Sequence, residues 1–385
     1  MAVTDAAVLR DVLVALPEAG RLQRRSFVLS RRGAPGDVYT MDLPGHAVLP
    51  ALVNAHDHLH LNSIPALHTR HTFPNSYAWA SEFEAHFAHA EVRSALAISS
   101  EVRHWHGGLK NALCGTTTVM HHDPAQTVYE DAGFPVQVVQ PYGWAHSLHG
   151  HYGPQVAHSF RCTPPDMAWF VHLAEGTDAV AAAELRELQA LDCLRPNTVL
   201  IHGVALSDSD IQSVIDSGAA LVWCPSSNLT LLGQTVTPQR LRTLFAVGRL
   251  TVGTDSRLSG ARDLLEELRI AAMVSDFSAR ELLQMVTAQA RRLLRAAPAR
   301  DDVIIFRSHS TDPFRDLLQM ARHELRAVIR DGAPLIADPD FEDWFVQRSI
   351  SYTPVLLDGQ PKLCASSLLS AHGVSAAKLE PGLMP

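Results

Sequence analysis

Residues 167–204 read MAWFVHLAEGTDAVAAAELRELQALDCLRPNTVLIHGV. Two apolar β-type runs, MAWFV and TVLI, flank a helical stretch, AVAAAELRELQALDCL, and each run ends on a histidine, His172 and His202. Strand, helix, strand is the unit of a parallel sheet whose strands are buried on both faces. Outward from this unit the alternation repeats. Upstream lie AVLPALVNAH (47–56), the helical SALAISSEVRHWHGGLKNALC (94–114), GTTTVMHHD (115–123) and PVQVVQPYGW (135–144). Downstream lie AALVWCPSS (219–227) and RLTVGTD (249–255), with helical SDSDIQSVIDSG, TPQRLRTLFAVG and ARDLLEELRIAAMV around them. Residues 47–298 are close to the ~250 that a (β/α)8 TIM barrel needs. The expected architecture is therefore α/β, a barrel over 47–298. Its strand 4, sought near QVAHSF, is thin, which predicts distortion around strand and helix 4 or the loss of one helix.

Short strand-like runs precede this region (RRSFVLSRRG, GDVYTMDLPG) and follow it (DDVIIF, HELRAVIRDG, APLIADPD). They predict a small β-sandwich domain from residues 1–46 and 299–350, leaving 351–385 as a C-terminal tail without a clear signal. The whole chain has 385 residues, 46% of them hydrophobic and 19% charged, which excludes global disorder. No apolar run approaches the ~20 residues of a membrane helix. Asp5, Arg10 and Asp11 interrupt the stretch where a signal peptide would be apolar. A net charge of −8 argues against nucleic acid as a partner. Five scattered cysteines without a CxxC fit free thiols, and the expected location is cytoplasmic.

Histidine is the informative residue. Eighteen of 21 lie between His46 and His202. In a barrel the chemistry sits where the strands end. After LPALVN come His56 and His58, two apart on an extended chain and so on one side of it. His172 follows MAWFV, with Glu175 three residues on. His202 follows TVLI, and Asp255 follows RLTVGT. Each alone is a weak signal, since most strand-end histidines are structural. Together they place imidazoles and a carboxylate on one rim, a set that suits Zn²⁺ or another borderline first-row metal.

LVNAHDHLH, GTTTV, HLAEGTD, IHGVALSDSDI, WCPSSNL, VGTDS and LLQMVTAQARRLL resemble successive motifs of the amidohydrolase superfamily. They are closest in style to its cytosine, guanine and adenosyl-homocysteine deaminases and its triazine hydrolases. The resemblance runs from about residue 45 to 330. It implies that His56, His58, His172 and Asp255 bind one divalent metal, Zn first, with Fe or Mn as alternatives. It implies that Glu175 moves protons and that His202 polarises the substrate or holds the hydroxide; Asp255, touching the same water, can also take its proton as a general base. Binuclear members bridge two metals with a carboxylated lysine on strand 4. This chain has no lysine between Lys110 and Lys362, so the site is expected to be mononuclear. The activity implied is hydrolysis of a C–N bond in a small molecule by metal-activated hydroxide, chiefly deamination of a heteroaromatic amine. Opening of a cyclic amide or imide is the alternative, and a non-catalytic metal- or ligand-binding barrel a third. Barrels of this family often form homo-oligomers.

Further substrate contacts are sought at Trp79, His122 (with His121), Tyr142, Trp144, Ser226, Asn228 and Arg257. For each a structural reading competes. Trp79, Tyr142 and Trp144 can pack the rim, Ser226 and Asn228 can bind the turn, and Arg257 is read first as an ion pair. Glu175 can alternatively be the N-terminal acid of the following helix. The His-rich loop 59–89 departs from the family's usual substrate loop.

Overall fold

The computed structural model describes residues 4–35, 38–66 and 71–385, with side chains for all of these but 4, 5 and 31–35. Residues 67–70 of the His-rich loop therefore lie outside the described residues. Parallel strands carry the middle of the chain: β1 Leu52–Asp57, β2 Thr116–His121, β3 Gln137–Val138, β4 Gly143–Ala145, β5 Trp169–Leu173, β6 Thr198–His202, β7 Ala220–Trp223 and β8 Leu250–Val252. They form two arcs, β3-β2-β1 and β8-β7-β6-β5-β4. The arcs meet at β1 and β8, where Asp57 and Asp255 form a parallel bridge. There the His58 amide donates to Asp255 O at 2.7 Å and the Thr254 amide to His56 O at 3.0 Å. Among the described residues no ladder joins β3 to β4.

The alternation along each strand explains the layers. Val53, Met120, Phe170, Ile201 and Val222 form one buried cluster between the arcs. Their neighbours Leu52, Val171, Leu200 and Leu221 belong to a second, larger core. That core also takes Leu185 and Leu188 of helix Ala179–Ala190 and Leu241 and Leu244 of helix Pro238–Ala246.

The structure differs from the sequence expectation in three places. First, PVQVVQPYGW is two strands, β3 and β4, one in each arc. Pro141 lies between them and has no N–H to give a ladder. Second, QVAHSF is not strand 4 but the start of helix Val156–Cys162. The Gln155 side chain accepts the His158 amide at 2.8 Å and starts that helix. Helix 4 is thus present. The thin layer falls earlier, where only a 3-10 turn (Thr127–Glu130) follows β2 and only residues 139–142 follow β3. Third, AVLPALVNAH splits at Ala51. His46–Pro50 runs antiparallel to Val303–Arg307 in another sheet before β1 begins.

Among the described residues the strands of the expected β unit lie in that other sheet, one mixed hydrogen-bonded sheet of ten. It joins the N-terminal strands Thr4–Leu16 and Arg21–Pro35 to Leu325–Arg330 and Ala333–Ala337 through His46–Pro50 and Val303–Arg307. The last 35 residues also contribute to it, with Tyr352–Leu357, Gln360–Ala365 and Leu383–Met384. Among the described residues no helix is long and apolar enough to cross a membrane.

Glu380 ties this C-terminal segment to the parallel strands. Its side chain is fully buried. It accepts from Arg257 Nη1 and Nη2 at 2.7 and 2.8 Å, from His106 Nε2 at 2.9 Å, and from Arg322 Nη1. Burial alone would raise its pKa, but His106, Arg257 and Arg322 outweigh that and hold the carboxyl well below the usual range. Removing one member of a buried ion network leaves the others desolvated and unpaired, at about 3–5 kcal/mol. Glu380→Ala should therefore lower unfolding stability by about that amount, read as a shift of the urea midpoint. A midpoint equal to that of the unaltered protein would show that the network holds nothing.

Candidate metal centre

The geometry begins with a change of phase in β1. Val53 and Ala55 face the inner cluster, so strict alternation would turn His56 outward. The pairing of β1 with β2 shifts register between Asn54 and Asp57. Past this irregularity His56 and His58 point into the space between the arcs, and Asp57 points away from it. Asp57 is buried and receives Lys110 Nζ at 2.9 Å, with Asn111 and Asn62 amides at 2.8 Å each. Gly253 lets β8 come this close, because a Cβ there would lie 2.7 Å from His56 N and Cβ.

Four donor atoms then converge. His172 Nε2 lies 3.3 Å from both His56 Nε2 and His58 Nε2. Asp255 Oδ1 lies 3.6 Å from each of the same two nitrogens. Tetrahedral bonds of about 2.0–2.1 Å to Zn²⁺ give ligand-to-ligand edges of about 3.3–3.4 Å, so the set fits a borderline divalent cation. The remaining atoms of these side chains are already committed. His58 Nδ1–H donates to Asp123 Oδ2 at 2.7 Å and His172 Nδ1–H to His146 O at 2.9 Å. Asp255 Oδ2 accepts Ser227 Oγ at 2.6 Å and Ser259 Oγ at 2.8 Å. Such outer partners fix tautomer and ring orientation. Burial pushes the His56 pKa down to about 4. For His58 burial also pushes down, but Asp123 outweighs it and lifts the ring to about 9. Asp255 is held below the usual carboxylate range, the surrounding histidines overcoming its burial.

His202 and Glu175 face each other beside this set, with Nε2 3.5 Å from Oε1. His202 Nδ1–H donates to Asn228 Oδ1 at 2.8 Å. His202 and Asp255 both hold left-handed backbone, φ 73° and 60°, a conformation costing about 1–3 kcal/mol for non-glycine residues that clusters at functional sites. The Glu175 side chain is one-tenth exposed. Its pKa is pushed up to about 7, chiefly by burial, with His202 opposing. It is not the cap of the next helix. Asp178 takes that role, accepting the Ala181 amide at 3.0 Å.

The other candidates divide. His122 lies against the donor set, its ring centroid 4.3 Å from that of His172. Its Nε2–H donates to Ala145 O at 3.0 Å, and its Nδ1 is buried without a hydrogen-bond partner. His121 points elsewhere, toward His60 and His104. Trp144 stands edge-on to His122 at 5.9 Å. Trp79 stacks on Phe83 and packs against Val204, Leu231 and Leu232. Tyr142 gives its hydroxyl to Asp123 O. Three residues sought at the substrate are engaged elsewhere. Ser226 binds buried Glu267 and accepts the Ala261 amide at 2.9 Å, closing its turn. Asn228 positions His202. Arg257 is consumed by Glu380. Sequence reading missed Asp123, whose signal was a carboxylate directly after the strand-end pair His121-His122. It also missed Ser227, Ser259 and Lys110, which carry no signal short of the three-dimensional contacts.

No protein-family model matches the chain. Among curated proteins it is similar to 5-methylthioadenosine/S-adenosylhomocysteine deaminases. It is 30% identical to that of Pyrococcus abyssi over 112 residues, 27% of this chain and 26% of the relative. It is 34% identical to that of Haloquadratum walsbyi over 110 residues, 28% of this chain and 24% of the relative. The matched stretch thus spans about a quarter of each of these relatives. Among solved structures it resembles a zinc-bound adenosine deaminase from Xanthomonas campestris, with TM-score 0.69 and 17% identity, covering 90% of this chain and 97% of that one. It also resembles the zinc complex of atrazine chlorohydrolase from Arthrobacter aurescens TC1, with TM-score 0.65 and 16% identity over 86% and 95% of the two chains. The chain shares the fold of these two structures.

The His58–Asp123 contact yields a test. Asp123→Ala removes the acceptor that orients His58, so cation affinity should fall about 10–100-fold, measured by competition with a chromogenic chelator. An unchanged affinity would mean that His58 is oriented without it.

Proposed function

We propose that this chain is a metal-dependent hydrolase of C–N bonds that deaminates a small heteroaromatic amine. In this reading β1–β8 are the strands of a (β/α)8 barrel over residues 47–298, with the ten-strand sheet as a separate β unit. The observation that carries it is that His56 and His58 Nε2 each lie 3.3 Å from His172 Nε2 and 3.6 Å from Asp255 Oδ1. His56, His58, His172 and Asp255 would hold one divalent ion, Zn²⁺ before Fe²⁺ or Mn²⁺. When bound, such an ion lowers the pKa of its water toward ~7 and so supplies a nucleophile at neutral pH.

The protein's own groups account for the proton movements. Asp255 is kept ionised and accepts a proton from the attacking water. Glu175 holds its proton near neutrality and delivers it to a ring nitrogen beside the attacked carbon. His202, oriented by Asn228, contacts the oxygen added at that carbon. The proton taken by Asp255 then reaches the exocyclic nitrogen, the C–N bond breaks to release ammonia, and the added hydroxyl gives its proton back to Glu175 as the carbonyl forms. His122 and Trp144, which lie beside the donor set, would border the space for a flat ring. The Asp57–Lys110 pair fills the position behind the histidines, and no lysine lies on β4, so a single ion is assigned to this centre.

The test is Glu175→Gln in the metal-loaded protein, assayed for ammonia across a panel of amino-heterocycles. Metal content should be unchanged, and turnover should fall by about 10²–10⁴-fold. Retained turnover would remove Glu175 from proton transfer. Consumption of a substrate without ammonia would replace deamination by the opening of a cyclic amide or imide.

A further inference from the structure

Imidazoles gather at a second place beside the proposed centre. His60 comes from the 3-10 turn Leu59–Leu61, His104 from helix Ser100–Leu113, and His121 from the end of β2. One ligand nitrogen of each lies within 4.8 Å of the other two. His60 stacks on His104 with ring centroids 5.1 Å apart, and His121 stands edge-on to them at 5.8 and 5.3 Å. His104 and His121 are 3% and 0% exposed.

The hydrogen bonds leave this cluster incomplete. His104 Nδ1–H donates to Ser100 O at 2.7 Å, which leaves the lone pair on Nε2. His121 Nδ1 receives only the Leu59 amide, at 3.3 Å. His121 Nε2 and His60 Nδ1 are buried with no hydrogen-bond partner, as is the hydroxyl of Tyr129, whose ring packs on His104 and His121. Buried nitrogens without partners call for an occupant such as a water or an ion, and here three imidazoles share the space. The frame is rigid. Helix Ser100–Leu113 meets the turn so closely at Gly107 that a Cβ there would lie 2.3 Å from Leu59 O.

We propose that His60, His104 and His121 bind a second divalent transition-metal ion, apart from the one assigned to the catalytic centre. Three imidazoles select Zn²⁺, Co²⁺, Ni²⁺ or Cu²⁺ over Mg²⁺ and Ca²⁺. His60, with 21% of its side chain exposed, provides the way in. His121 coordinates through Nε2, its ring proton moves to Nδ1, and the long Leu59 contact is given up. Asp123 stands between the two sites, 2.7 Å from His58 Nδ1 and 3.7 Å from His60 Nδ1.

The experiment is metal stoichiometry. Full-length protein is stripped with chelator, reloaded with Zn²⁺ or Co²⁺, freed of unbound metal and analysed by plasma mass spectrometry. Two ions per chain are expected, falling to one in His104→Gln and to one in His172→Gln. Because His104 is buried, His60→Gln serves as the second variant. It should weaken one ion at least about tenfold and leave the other unchanged. A single ion that His172→Gln removes would overturn this proposal and leave the catalytic reading intact. A single ion that survives His172→Gln but is lost in His104→Gln would uphold this proposal and sink the catalytic one. Two ions retained in both His104→Gln and His60→Gln would also overturn it.

Discussion

A buried ion pair sets the geometry of this molecule. Lys110 Nζ and Asp57 Oδ2 are 2.9 Å apart, and neither side chain meets solvent. Asn54, Asn62, Asn111 and Thr254 complete the shell around them. An isolated charge in that position would cost several kcal/mol, so each partner requires the other. The consequence is directional. Asp57 is drawn back toward helix Ser100–Leu113, and the residues on either side of it, His56 and His58, are turned the opposite way. Thr254, in the same network, precedes Asp255, so β1 and β8 are registered against each other at the point where both deliver candidate ligands.

The far end of β8 is held by a second buried network. Arg257, two residues past Asp255, is gripped by Glu380 from the C-terminal segment. Glu380 is shared with His106 of helix Ser100–Leu113, the helix that carries Lys110. One helix thus anchors β1 from behind through Lys110 and the loop after β8 through Glu380. The ten-strand sheet is part of the same arrangement, since the C-terminal segment that carries Glu380 also gives it three strands. Loss of the last residues would reach the ligands through this chain of contacts.

What the sequence made legible follows from what each residue does alone. Apolar runs with a polar residue at the end mark buried strands, so His56, His58, His172, His202 and Asp255 stood out without any structure. The phase change in β1 is invisible because it arises from pairing with β2. The split of PVQVVQPYGW was foreshadowed by Pro141, but two residues of β3 and three of β4 are too short for a periodic signal. QVAHSF looked like a strand because valine and phenylalanine favour one, and its capping glutamine decided otherwise. Ser226, Asn228 and Arg257 lie beside functional strand ends and so looked like substrate contacts. Their partners Glu267, His202 and Glu380 are 41, 26 and 123 residues away, and only folding reveals them.

The protonation of the histidines shows why so many are gathered here. Burial lowers the pKa of His56, His121, His122 and His172, so these rings are neutral and each offers a lone pair. Lone pairs packed at 3.3 Å repel unless a proton or a cation lies between them. His58 is the exception: Asp123 lifts its pKa to about 9, so its Nε2–H can donate across the contact with His172, and the His56–His172 contact is left between two neutral rings. A divalent cation would serve all three at once and would balance the charge of Asp255. Asp123 pairs with His58, and Asp255 faces both His56 and His58. In the proposed reading a divalent ion would complete this set of donors.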